Sequence, residues 1–460
     1  MNNDKNNGNI NVRKIVSDIL MKVFEENQLS HIVIRETLDK YDSMSKADRA
    51  FITRLSEGTI ERAITLDYII NKFSKIKVDK MKPVIREIIR MSVYQIMYMD
   101  SVPDSAACNE AVKLVKNRKL QGLAGFTNGI LRNIIREKKN ISFPEEKGSI
   151  EYYSINYSVP KWIVQSFIDD YGIKIAEEML EVMYQKQNNS ITVRVNTSRA
   201  CVDEVLKMLD KQHIKAIKST YADNTLIIQE YEKVSSIEAF KRGYIQVQDI
   251  SSVLAGQVSG VKSGDVCIDM CAAPGGKTIH IADKLNGTGK VYSRDISGKK
   301  VLLIKENVDR CGLDNVEIQV KDATKFIEED EGIADVVIAD VPCSGMGILR
   351  RKTDIKYKIT PQTVKDLSII SQKILKNAVK YLKTDGILIF STCTMNKMEN
   401  DDTRQWLIEE MGLQPVSIVG NLSDDILCIG NNRENAGQGY LQLFMTKDYD
   451  GFYISKYVKR

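Results

Sequence analysis

Two cysteines stand in short segments downstream of a glycine-rich loop, and together the three carry the chemistry legible in this chain. Cys343 lies in Asp340-Val341-Pro342-Cys343-Ser344-Gly345, and Cys393 in Ser391-Thr392-Cys393-Thr394. The loop reads Asp269-Met270-Cys271-Ala272-Ala273-Pro274-Gly275-Gly276-Lys277-Thr278. Each segment follows an apolar run that predicts a buried strand. In an open α/β sheet, ligands bind beyond the carboxyl ends of the strands. A nucleotide-type pocket with two thiols at its rim points to a nucleophile that attacks a heterocycle, not to a redox pair.

Gly275 and Gly276 lack side chains, so backbone N–H groups in the loop can approach a ligand closely. The loop matches neither GxGxxG nor a Walker phosphate loop. Asp295 closes the next expected strand, where an acid commonly holds ribose hydroxyls. Asp322 ends the third, within reach of an adenine amino group. Either acid alone is more often a helix cap than a ligand. Their order behind the loop favours a cofactor pocket of Cys271, Ala272, Ala273, Pro274, Gly275, Gly276 and Lys277 with Asp295, Asp322 and Asp340. Cys343 and Cys393 differ from a lone cysteine, which is usually a buried small hydrophobe. That plainer reading is taken for Cys108, Cys201, Cys267, Cys311 and Cys428. Eight scattered cysteines without CxxC pairs predict reduced thiols in a cytosol and no zinc site. Three histidines, His31, His213 and His280, leave little for metal or triad chemistry.

The elements that must position these groups alternate from residue 264 onward. Strands are expected at 266–270, 290–295, 316–321, 335–340 and 386–391. Helices are expected at 278–285, 299–310, 362–382 and 399–411. This alternation predicts a mainly parallel, doubly wound Rossmann-like sheet over 241–460. Residues 161–240 read as a small α+β module, RRM-like in size. Its helices are expected at 163–184 and 201–211, and its strands at 191–195 and 225–228. Phe143-Pro144-Glu145-Glu146-Lys147-Gly148 makes 141–160 linker-like. Residues 1–140 read as helical throughout, with periodic apolar positions such as Ile15, Ile19 and Val23.

The 460 residues allow two or three domains, and 28% charged residues suit a soluble protein. The polar start, Met1 to Asn7, lacks the apolar region of a signal peptide, and no run is long enough to span a membrane. The net charge of +5 hides an asymmetry. Residues 1–140 hold 25 Lys and Arg against 17 Asp and Glu; the rest hold 41 against 44. A basic helical domain beside a near-neutral body suggests a polyanion-binding module on a catalytic unit, although a solvated helix face gives the same count.

The loop, the Asp-x-Pro-Cys-Ser-Gly segment and the Ser-Thr-Cys segment resemble those of RNA cytosine-5 methyltransferases of the RsmB/Sun type. The resemblance extends to Arg350–Tyr357, to Gly243–Asp249 and to the tail Tyr449–Tyr453. Residues 1–140 resemble the all-helical NusB RNA-binding domain through Lys46–Phe51, Val102–Asp104, Glu110–Val112 and Phe126–Arg132. Val341, Thr353, Arg294 and the filling Met395–Met398 depart from the family pattern.

The resemblance implies S-adenosylmethionine as cofactor, small-subunit ribosomal RNA as partner, and a cytosolic monomer without metal. It implies that Cys393 adds to C6 of cytosine and that Cys343 assists release. A carboxylate beside N3 and N4, assigned to Asp340, stabilises the adduct. Transfer RNA or a protein as substrate, or a non-catalytic RNA-binding assembly or antitermination factor, are the competing readings.

Overall fold

The computed structural model describes residues 11–41, 43–185 and 190–460, in two compact units. The polar start of the chain, whose composition speaks against a signal peptide, lies before Asn11, outside the described residues.

The first unit spans Met1–Tyr184 together with the distant segment Leu349–Lys358. Its helices are α1 (Val12–Phe24), α2 (Ser30–Lys40), α3 (Lys46–Glu61), α4 (Ala63–Phe73), α5 (Pro83–Tyr98), α6 (Asp104–Asn117), α7 (Ala124–Glu137), α8 (Ile150–Asn156) and α9 (Lys161–Tyr184). Local chemistry starts them. The Asn11 side chain accepts from Lys14 N at α1, Ser45 accepts from Asp48 N at α3, and Pro83 opens α5. Ile15, Ile19 and Val23 turn inward together, as their spacing requires. They meet Leu66, Ile69, Ile88 and Ile89 in one continuous core.

The stretch between the first seven helices and the small sheet carries helices of its own. Residues 141–160 are not a plain linker, because Ser149 caps the short helix α8 through Tyr152 N. The helix expected at 163–184 packs with the helical unit, and Gly172 at φ 79° interrupts its path. The segment from Leu349 to Lys358 is held by α2 and α3. Ser30 donates its N–H and its hydroxyl to Asp354, at 3.1 and 2.6 Å, and Lys356 Nζ donates to the Glu61 carbonyl at 2.8 Å.

The second unit, Gln185–Ile348 and Ile359–Arg460, contains two sheets. The smaller one runs in the order β2 (Lys215–Lys218), β3 (Thr225–Gln229), β1 (Ser190–Val195), β4 (Ile245–Val247), all antiparallel, with α10 (Val202–Lys211) behind it. Arg194 on β1 is fully buried. It donates to Asp283 on the Gly276–Lys284 helix at 3.1 Å and to the Gln248 side chain at 3.2 Å. Asp283 also accepts the N–H groups of Thr197 and Ser198, each at 2.9 Å. A buried ion pair with all its lone pairs used orders both partners, so the small sheet is fixed against the helix that follows the glycine loop.

The larger sheet has the order β10 (Gln414–Pro415), β12 (Phe452–Val458), β9 (Leu382–Thr392), β8 (Ala334–Asp340), β5 (Val266–Asp269), β6 (Lys290–Asp295), β7 (Val316–Val320), with β11 (Tyr440–Leu443) paired to β12. Strands β5 to β9 are parallel, at the places expected. Beyond these parallel strands, β12 pairs antiparallel with β9, and β10 and β11 pair antiparallel with β12, so the mainly parallel sheet is mixed. All seven residues of β12 are buried, and such a strand has no polar alternation to announce it.

The plain reading of the spare cysteines holds for Cys108, Cys267 and Cys311, which are buried. Cys201 and Cys428 are exposed instead. They sit just outside α10 and the short Asp424–Leu427 helix, at caps that face solvent. No helix among the described residues is long and apolar enough to cross a membrane.

Candidate active site

The two cysteines meet because of strand register. Strands β8 and β9 are parallel neighbours with Asp340 opposite Ser391. Residues a few steps beyond those two therefore leave the sheet at the same edge. Cys343 Sγ and Cys393 Sγ lie 3.3 Å apart. Ser391 Oγ donates to Asp340 Oδ1 at 2.8 Å, and Val341 N donates to the Ser391 carbonyl at 3.1 Å.

Beyond Cys343 the chain runs against Cys393. Gly347 N donates to the Cys393 carbonyl at 2.9 Å, and Gly451 N donates to the Gly347 carbonyl at 2.9 Å. A Cβ at Gly347 would sit 2.0 Å from the Gly451 oxygen, so only glycine permits this approach. The Cys343 thiol is pushed well up by its hydrogen bond to Cys393, by burial, by the Cys393 charge and by Glu399. At neutral pH, Cys343 is therefore a thiol that can carry a proton.

A cavity of 210 Å³ opens at the neighbouring strand end. It is lined by Cys271, Ala272, Ala273, Pro274, Gly276 and Lys277 of the loop and by Asp269 and Asp340. Gly275 is not in the lining, but it makes the turn at φ 105° as the N-cap of the Gly276–Lys284 helix. Lys277 Nζ donates to Asp340 Oδ2 at 2.7 Å and to Ser252 Oγ at 3.1 Å.

Asp295 and Asp322 lie outside the cavity wall. Asp295 accepts from Ala273 N and Ser297 N, each at 3.3 Å, and so braces the loop from the next strand. Asp322 is two residues past the end of β7, and its carboxylate is turned to the Thr324 N–H and hydroxyl, which hold it below its ordinary range.

Gln246, Gln248, Asp249 and Ser252 also line the cavity. Sequence reasoning singled out Gly243–Asp249 without giving it a place in the pocket, and it missed Ser252. The signal available was a polar cluster ahead of the first parallel strand.

A methionine-bearing nucleoside suits this cavity. Its wall carries acceptors for an ammonium and hydroxyls, and Asp269 Oδ1 is buried at its edge without a hydrogen-bond partner. The left-handed turn at Gly275 leaves the loop backbone open to a ligand.

Of the departures from the family pattern, Val341 is buried in the core beside β8, and Arg294 turns away from the loop. The Arg294 guanidinium donates to Asp330 at 2.7 Å and to Gln319 at 2.9 Å.

Comparisons with known proteins agree with this geometry. Residues 258–458 match the family described as 16S rRNA methyltransferase RsmB/F. Residues 10–136 match the NusB family, and residues 159–235 match the RsmF/B-like ferredoxin-like domain. The chain is 35% identical over 402 residues to the Bacillus subtilis (strain 168) protein named "Probable ribosomal RNA small subunit methyltransferase B", covering 87% of this chain and 88% of that protein. It is 25% identical over 450 residues to ribosomal RNA small subunit methyltransferase B of Escherichia coli O1:K1, covering 98% and 99%. Among solved structures, PH0851 shares the fold with a TM-score of 0.79 at 23% identity, over 98% of this chain and 99% of that one. By these matches this chain belongs to the RsmB/F family of S-adenosylmethionine-dependent 16S ribosomal RNA methyltransferases.

Proposed function

We propose that this protein methylates C5 of a cytosine in small-subunit ribosomal RNA through a covalent bond between Cys393 and C6. The observation that carries this reading is the pair of sulfurs 3.3 Å apart beside Asp340. C5 of cytosine is a weak nucleophile. Addition of the Cys393 thiolate to C6 breaks the C5–C6 double bond and moves its electron pair onto C5.

The loop Cys271–Lys277, with Asp295 and Asp322, would hold S-adenosylmethionine, which supplies an electrophilic methyl group when bound. Asp340, held by Lys277 and Ser391, supports the ring at N3 and N4 as its charge changes. After methylation, the C5 proton must pass to a base, with solvent water as the acceptor, and the C6–S bond must break. The electron pair of the C5–H bond re-forms the double bond, and the Cys393 thiolate departs. Cys343 touches Cys393 and serves this release step.

The helical unit delivers the substrate. Its match to the NusB family and its basic balance fit a surface for phosphates. The names of the relatives favour small-subunit ribosomal RNA over transfer RNA. The protein acts as a cytoplasmic monomer in this reading. A solely RNA-binding assembly role would leave the two adjacent thiols without a task.

One denaturing gel tests the chemistry. Cys343→Ala should trap protein covalently on RNA in the presence of S-adenosylmethionine, and Cys393→Ala should form no adduct. The reverse pattern would make Cys343 the attacking thiol. Bisulfite sequencing of small-subunit ribosomal RNA from a deletion strain tests the substrate; a complete set of modified cytosines there would overturn it.

A further inference from the structure

We propose that Glu399 is a positioning residue of the methyl-transfer site: its carboxylate clamps the residue after Cys343 to the residue after Cys393 and holds the two sulfurs in contact. The functional side of this inference rests on the cysteine chemistry proposed above; the clamp itself rests on geometry alone.

Glu399 lies ahead of the Asp401–Glu409 helix, remote in sequence from Cys343. Its Oε1 accepts the Ser344 N–H at 2.7 Å, and its Oε2 accepts the Ser344 hydroxyl at 2.5 Å. Ser344 Oγ is also 2.8 Å from Thr394 Oγ1. Ser344 follows Cys343 and Thr394 follows Cys393, so one carboxylate closes a bridge between the two segments. Asn396 Oδ1 accepts the Glu399 N–H at 3.3 Å and steadies its backbone. Asn400 completes the frame: its Nδ2 donates to the Thr394 carbonyl at 3.1 Å, and its Oδ1 accepts from Thr392 Oγ1 at 2.6 Å. Cys393 is thus gripped on both sides.

The arrangement has a cost that a structural side chain need not carry. Glu399 is 3% exposed, and the groups bonded to it are an amide and hydroxyls. Burial pushes its carboxyl up, against the pull of Ser344 and Thr394. A buried carboxyl without a cation destabilises a fold relative to an apolar residue of similar size. What it supplies in return is two acceptor oxygens on one rigid fork, the number needed to hold a backbone N–H and a hydroxyl at once. The carboxylate's hydrogen bonds run to Ser344 and not to either sulfur, which makes it a positioning group and not a proton carrier.

The test uses the full chain and the variants Glu399→Ala, Glu399→Gln and Ser344→Ala. Diamide takes the two thiol hydrogens as Cys343 and Cys393 join, and peptide mapping by mass spectrometry follows that disulfide. The link should form readily in the parent protein. In Glu399→Ala it should form about tenfold more slowly or worse, the loss expected when hydrogen bonds to a charged group are removed. Glu399→Gln keeps one carbonyl acceptor and should recover part of the rate, and Ser344→Ala should fall between the parent and Glu399→Ala. Turnover should drop in the same order, with the KM for S-adenosylmethionine unchanged.

A folded Glu399→Ala or Glu399→Gln protein that cross-links at the parent rate overturns the clamp. Ser344→Ala at the parent rate does so as well if the glutamate variants fail to fold. Slow cross-linking in the variants, with no RNA adduct in any cysteine mutant, would instead leave the clamp standing and remove the covalent mechanism.

Discussion

Lys277 Nζ lies 2.7 Å from Asp340 Oδ2, tying the helix behind the glycine loop to the strand end that leads into Cys343. Cofactor loop and reacting strand are therefore coupled through one ion pair. Lys277→Met and Asp340→Asn should each lower kcat/KM. The double variant should be no worse than the poorer single one, a coupling of about 1–3 kcal/mol for residues acting as a unit. Steady-state kinetics on the four proteins checks this. Additive losses would show that the two groups serve separate steps.

Asp295 braces the loop through Ala273 N and Ser297 N. Asp295→Ala should weaken S-adenosylmethionine binding by about 1–3 kcal/mol, since a hydrogen-bond acceptor that braces the loop is lost. Calorimetry on the folded variant decides the matter. Unchanged affinity would remove Asp295 from the cofactor site.

The exposed basic residues of the helical unit are the place to test RNA affinity. Lys116, Lys119, Arg132 and Lys139 are all exposed on or beside α6 and α7. Changing them together to Gln should weaken RNA binding. It should also flatten the slope of log K against log salt by about 0.7 per lost single-strand phosphate contact. An unaltered slope would move the RNA surface elsewhere. Deleting residues 1–140 is a poorer experiment, because Asp354 and Lys356 would lose Ser30 and Glu61.

Asp269 sets a pH dependence of stability. Burial pushes its carboxyl up to about 6, with Thr278 and Lys277 pulling the other way. Between the ordinary carboxylate value near 4 and about 6, the folded protein keeps a proton that the unfolded chain releases. Stability therefore falls as pH rises through that window, by about 3 kcal/mol, and is level above it. Asp269→Asn removes this loss. Its urea midpoint, relative to the parent, should climb from pH 4 to pH 7; a constant difference would mean that Asp269 is not buried as a neutral acid.

Much of this protein is written locally. The parallel strands β5 to β9 show in the sequence because each is an apolar run of strand length followed by turn residues and a periodic helix. The loop 271–277 and the positions of Cys343 and Cys393 beyond strand ends follow from the same local grammar. The antiparallel strand β12 did not show, because every one of its residues is buried and no alternation marks it. Cys201 and Cys428 could not be told from their buried counterparts, since composition does not reveal which side of a helix cap meets solvent. The contact of Cys343 with Cys393, the grip of Glu399 on Ser344, and the placement of Leu349–Lys358 in the helical unit were decided only by the tertiary structure. Each joins residues through strand order and register, which long-range burial selects. A one-residue change of register would turn every side chain of a strand to its other face.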